Sequence, residues 1–137
     1  MIYFVRHGET DFNKKGIMQG WLDVPLNKTG IMQAQKAKEN LKYIKINEIY
    51  SSPLQRAYKT AEIINENYNL EIKIDDRIKE IFGGTIQGKV LKDLSKSEYE
   101  LYYNSPDAFG GETLSSFCSR VEEFLKEKKQ SKNNIID

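Results

Sequence analysis

The sequence is poor in the residues that announce specialised classes of protein. It holds one cysteine, Cys118, so no intrachain disulfide framework is available, and a reducing compartment suits it. It holds one histidine, His7. A lone histidine and a lone cysteine make no metal-ligand cluster, and neither a metal nor another cofactor is expected. Charge of one sign is lacking too: 21 basic and 20 acidic side chains leave a net charge of +1. No global field therefore recruits nucleic acid or an anionic membrane, and any anion site must be built locally. Nowhere does an apolar run approach the ~20 residues of a membrane span. The apolar start, Met1 to Val5, is too short for a signal segment and is ended by Arg6. Repeats and low-complexity linkers are missing as well. A cytoplasmic protein with a single domain over 1–137 is expected, and 39% hydrophobic residues suffice for one core.

Short β-rich runs alternate with helical stretches, which predicts an α/β fold. Ile2 to Val5 reads as a buried strand and Ile46 to Tyr50 as a second one. Between them the apolar positions Ile31, Ala34, Ala37 and Leu41 predict a helix from about Thr29. Ser52 as N-cap and Pro53 as first helical residue predict another, with Ala57, Ala61 and Ile64 on one face. Glu71 to Ile74 alternates polar and apolar residues, as a strand near a sheet edge does. A tyrosine-rich helix is expected near Leu91 to Tyr103. A last helix is expected from Thr113 to Lys129, striped by Leu114, Phe117, Val121 and Phe124, with Cys118 packed beside the stripe as an inert core residue. Asn133 to Ile136 reads as the start of a further strand.

The chemistry gathers at Arg6-His7-Gly8-Glu9-Thr10. A strand delivers a basic pair to its C-terminal end, where open α/β sheets place ligands, and Gly8 allows close backbone approach and a sharp turn. A neutral imidazole can attack phosphorus, and a guanidinium can hold phosphate oxygens. Arg56 falls in the first turn of a helix, an unfavourable place for a cation that a bound anion would offset. Read alone, His7 is a core histidine, Arg56 a solvated cation on a helix face, and Glu80 a solvated carboxylate in a charged stretch. Trp21 is a substrate-loop aromatic or a packed loop residue.

Five segments in order resemble the histidine phosphatase (phosphoglycerate-mutase-like) superfamily. They are Arg6 to Thr10 with Asn13; Gln19 to Asp23 with Pro25-Leu26 and Gly30; Ser51 to Ala57 with Thr60-Ala61; Glu80 to Gly83 with Gly88; and Gly110 to Thr113 with Arg120-Val121. The resemblance implies a three-layer sandwich with a mostly parallel central sheet flanked by helices. It implies His7 as the nucleophile that becomes phosphohistidine and Glu80 as the proton donor. Arg6, Asn13 and Arg56 would bind the phosphoryl group, Gln19 and Gly20 would touch substrate, and Glu9 and Glu112 would be orienting groups. The implied substrate is a small phosphate ester.

Two departures qualify the expectation. Thr85-Ile86-Gln87 stands where the family has an acidic stretch. The family's second active-site histidine follows a late central strand whose beginning resembles Asn133 to Ile136. By that resemblance the C-terminal part of the fold is missing after Asp137, and turnover should fall by roughly a hundred- to a thousand-fold. An unfinished sheet could also pair with a second copy as a homo-oligomer. The expected activity is that of a phosphomonoester phosphatase of the short type, since no long insertion separates Glu80 from Gly110. The competing expectations are a phosphoglycerate mutase and a non-catalytic phosphate-binding protein.

Overall fold

The computed structural model describes residues 1–128 and 134–136. Strand β1 (Ile2–Phe4) leads through a loop into the short helix α1 (Asp11–Lys15) and then α2 (Lys28–Leu41). Strand β2 (Glu48–Ser51), helix α3 (Gln55–Asn65) and strand β3 (Ile72–Ile74) follow, then α4 (Lys96–Asn104), α5 (Leu114–Lys128) and β4 (Asn134–Ile136). The sheet is all-parallel in the order β1-β4-β2-β3. β4 is central: Ile135 pairs with Tyr3 on one side and Ile49 on the other.

Alternation along each strand sends side chains to opposite faces, and each face has its own cluster. Ile49 and Ile135 pack with Ala61 and Ile64 of α3, joined by Tyr3, Val5, and Ala37 and Leu41 of α2. On the opposite face Tyr50 and Ile136 meet Phe124 of α5, with Ile2 alongside. Helices α2 and α3 thus cover one face and α5 the other, the expected three-layer α/β arrangement. Among the described residues no helix is long and apolar enough to cross a membrane.

Several local expectations need correction. β1 is an edge strand rather than a buried one, and Phe4 is 68% exposed, because β4 pairs with only one of its sides. Ser52 and Pro53 do not open α3. The helix begins at Gln55, whose backbone N–H is capped over a long sequence distance by Asp23 Oδ1 at 2.7 Å, while Leu54 makes no side-chain cap. The tyrosine-rich stretch is not one helix. A 3-10 turn at Leu91–Asp93 comes first, and α4 starts only where Ser95 and Glu98 form a capping box. Cys118 is exposed, not core, since only the Phe124 side of α5 reaches the sheet. Lys129 and Asn133, expected to end the last helix and begin the last strand, lie outside the described residues.

Candidate active site

Because the strands are parallel, β1 and β2 deliver their following residues to the same edge of the sheet. His7 emerges three residues beyond β1 and Arg56 in the first turn of α3. Two cavities, of about 360 and 280 Å³, meet at Arg6 and His7. The larger also reaches Asn13 and Thr60. The smaller is lined by Arg56 and Glu80 as well. Arg6, His7 and Asn13 of the N-terminal segment are thus brought around one place with Arg56 and Glu80, distant in sequence.

The imidazole is oriented by its own neighbour: His7 Nδ1 lies 2.7 Å from the Gly8 carbonyl. A carbonyl can only accept, so Nδ1 carries the proton and Nε2 keeps its lone pair. Burial holds the His7 pKa below its usual value, the positive charges of Arg56 and Arg6 add to that, and the Gly8 carbonyl and Glu80 act against it. A neutral imidazole near neutral pH follows.

Gly8 is required for a reason different from the one expected. Its backbone is not in the left-handed region, and a Cβ there would collide with the backbone of Gly30. Gly30 in turn packs on the backbone of Glu9. This contact seats the first turn of α2 against the site loop. From the other side the Gly8 N–H donates to Thr60 Oγ1 at 3.1 Å, and the Thr60 hydroxyl donates to the Arg56 carbonyl at 2.8 Å. Thr60 therefore ties the His7 loop to the helix that carries Arg56.

Arg56 is 2% exposed. It donates to the carbonyls of Leu22 and Gly20 at 2.8 and 2.7 Å, while its buried Nε has no partner among the described residues. Burial lowers its pKa, with Glu80 and Asp23 opposing. A buried guanidinium with an unpaired N–H is electrostatically incomplete, and an anion would complete it. Arg6, by contrast, is exposed at the junction of the two cavities.

Asn13 caps α1 reciprocally with Thr10: its Oδ1 accepts from the Thr10 N–H and its own N–H donates to Thr10 Oγ1. Its amide nitrogen remains for the cavity it lines. Gln19 and Gly20 lie behind the site and line neither cavity. Gln19 is 7% exposed and accepts from Thr10 Oγ1 at 2.5 Å, and the Gly20 carbonyl serves Arg56. Glu9 accepts from Asn27, the N-cap of α2.

Glu80 is exposed, but its backbone is firmly held. Its carbonyl accepts from Trp21 Nε1 at 2.7 Å and from Arg120 at 2.9 Å. Arg120 also donates to the carbonyls of Arg77 and Lys79 and pairs with Glu112, whose carboxylate accepts the Phe82 N–H. The Trp21 ring packs at a tilt against Phe82, centroids 4.8 Å apart, with Lys79 Nζ 3.8 Å above it. Trp21 thus braces the Glu80 segment, as a packed loop residue does. Arg120 figured in the sequence only as part of the family resemblance, and its role was not legible there, because its partners include backbone carbonyls some 40 residues away. Thr60 left a faint one: a hydroxyl four residues after Arg56, within an otherwise apolar face. Among the described residues no group of three or more histidine, cysteine, aspartate or glutamate side chains could hold a metal ion.

The family model of the histidine phosphatase superfamily (branch 1) matches residues 2–136. Phosphoserine phosphatase 1 of Hydrogenobacter thermophilus is 36% identical over 132 residues, covering 92% of this chain and 63% of that protein. Phosphoglycerate mutase-like protein 4 of Arabidopsis thaliana is 41% identical over 134 residues, covering 91% and 58%. The chain thus spans about three fifths of the length of these relatives. Among solved structures, mycobacterial glucosyl-3-phosphoglycerate phosphatase superposes with a TM-score of 0.86 at 28% identity, covering 97% of this chain and 72% of that one. Phosphoglycerate mutase from Thermus thermophilus superposes with a TM-score of 0.79 at 30% identity, covering 98% and 75%. With its strand order, its His7 site and a family match over nearly its whole length, the chain belongs to the histidine phosphatase superfamily, branch 1.

Proposed function

We propose that the protein is a phosphomonoester phosphatase that works through a phosphohistidine on His7. The observation that carries this reading is the tethered imidazole. Nδ1 is spent on the Gly8 carbonyl, so Nε2 is the nucleophilic atom, and it stands where Arg6, Arg56 and Glu80 line one cavity.

In the first step Nε2 bonds to phosphorus as the ester P–O bond breaks. Arg6, the Nε–H of Arg56 and the amide of Asn13 hold the phosphoryl oxygens and absorb charge in the transition state. Glu80 gives its proton to the departing alkoxide. In the second step the Glu80 carboxylate takes a proton from water, which attacks phosphorus and breaks the N–P bond. Inorganic phosphate leaves, and the imidazole and the acid return to their starting states. Gln19 and Gly20 support the site from behind, through Thr10 and Arg56. The balanced net charge favours a small phosphate ester over nucleic acid or a membrane surface.

Incubation with a ³²P-labelled phosphodonor tests the reading. Acid-labile label should appear on the protein and vanish in His7→Ala, with labelled inorganic phosphate released to solution. Transfer of the label to an acceptor alcohol would instead establish a mutase. A protein that binds phosphate without ever acquiring label would overturn the enzymatic reading.

A further inference from the structure

The tyrosines of the 91–103 stretch are not used by the reaction described above, yet they line a cavity beside it. A cavity of about 500 Å³ lies between α4, the start of α5 and the Met18 loop. Its walls include Met18, Leu91, Tyr99, Tyr102 and Phe117. Glu80 and Phe117 line both this cavity and the smaller one at His7, so the two adjoin across the proposed proton donor.

Position follows from the chemistry. Displacement at phosphorus is in line, so the leaving oxygen departs on the side away from His7 Nε2 and toward the acid that protonates it. The alcohol attached to that oxygen must then lie beyond Glu80, where this cavity is. Its walls limit what that alcohol can be. Among the described residues Glu80 is the one charged side chain lining it, and neither lysine nor arginine does. A leaving alcohol bearing a carboxylate would meet no cation there, and once Glu80 has given up its proton the Glu80 carboxylate would repel it. The aromatic surface is also already organised: the Tyr99 and Tyr103 rings stack at 6.5 Å, and the Tyr102 hydroxyl is turned onto Met18 Sδ at 3.1 Å. With that hydroxyl engaged, ring surface is what Tyr102 has to offer a ligand.

We propose that this tyrosine-lined cavity is the leaving-group subsite and that it selects phosphate monoesters of apolar or aromatic alcohols over those of carboxylated ones. The proposal rests on the reading of Glu80 as proton donor and names the substrate class for that same site.

The test uses straight-chain ethyl, butyl and hexyl phosphates, whose alcohols are equally poor leaving groups, so reactivity is constant and only apolar length varies. kcat/KM should rise by roughly two- to fourfold for each methylene that enters the cavity. All three should be preferred to 3-phosphoglycerate by a margin that widens with length. In Tyr102→Ala and Leu91→Asp the hexyl-to-ethyl ratio should collapse toward unity. A parallel calorimetric titration with ethyl- and hexylphosphonate, which cannot be hydrolysed, separates the two readings. If no ester is turned over but hexylphosphonate binds several-fold tighter than ethylphosphonate, the phosphatase reading fails and the subsite stands. A flat chain-length dependence in either measurement, or a preference for 3-phosphoglycerate, overturns the subsite.

Discussion

His7 is the one imidazole in the chain, so its ionisation can be followed by NMR without any assignment problem. Burial and the two arginines depress its pKa, and the titration midpoint should lie below the usual 6.5. In Arg6→Gln one of the opposing charges is gone, and the midpoint should move up. A midpoint that ignores Arg6 would mean the guanidinium does not face the ring. The same shift has a sign for stability. As pH falls below about 6.5 the unfolded chain takes up its proton before the native one does. Stability therefore declines through the window between the unfolded and the depressed native pKa. Single-residue chemistry of this kind was partly legible beforehand, since Arg6, His7 and Arg56 are residue types that declare themselves. What sequence could not disclose was how they are held. The Thr60 hydroxyl, the Gly8–Gly30 contact and the Gly8 carbonyl on Nδ1 are relations between backbone atoms and partners that spacing does not reveal.

Between elements, the segment carrying Glu80 has no regular structure of its own and depends on α5. Arg120 reaches three backbone carbonyls there, and Glu112 closes the far side on the Phe82 N–H. Arg120→Leu leaves those carbonyls and the Glu112 carboxylate short of donors, with a stability loss of about 1–3 kcal/mol expected from denaturant titration. The effect on rate should depend on the leaving group. An alkyl phosphate needs a well-placed acid and should slow by roughly tenfold or more. p-Nitrophenyl phosphate departs as a stable anion and should slow far less. Equal losses on both substrates would assign Arg120 to folding alone. Element types were readable because apolar spacing fixes them, as in α2 and α5. Element starts were not, where the cap comes from elsewhere: Asp23 opens α3, and no local pattern at Ser52 or Pro53 could reveal a carboxylate 32 positions upstream of Gln55. Cys118 was misplaced for a related reason, because a stripe defined by spacing does not say how wide a face the sheet will cover.

For the whole molecule, acid should be the sensitive direction. The hydrogen bond from Arg77 holds the Asp75 carboxyl below its usual pKa, and Lys73 does the same for Glu48. Their stabilisation is present above about pH 4 and is lost as pH falls through the native values. Arg77 also reaches Glu123 and Glu127 of α5, so this one side chain fastens the end of β3 to the opposite layer. Tm measured from pH 7 to 3 should drop most steeply at the acid end, and Arg77→Leu should flatten that drop. The three-layer architecture was legible as a class. The strand order was not, because the hydrogen-bonding partner of a short apolar run is decided by the assembled sheet. That order has a kinetic consequence. β1 and β2 do not pair with each other; each finds its neighbour in β4, the last of the four strands to be synthesised. Until Ile135 and Ile136 arrive, β1 stands without a strand partner and β2 is paired only with β3, so each presents a bare edge. Closure then requires contacts across more than 130 positions of chain, as between Ile2 and Asn134. Long-range pairing of this kind makes folding slow. It also leaves the nascent chain open to capture by the β4 of a second molecule, so strand exchange is the misassembly this topology invites.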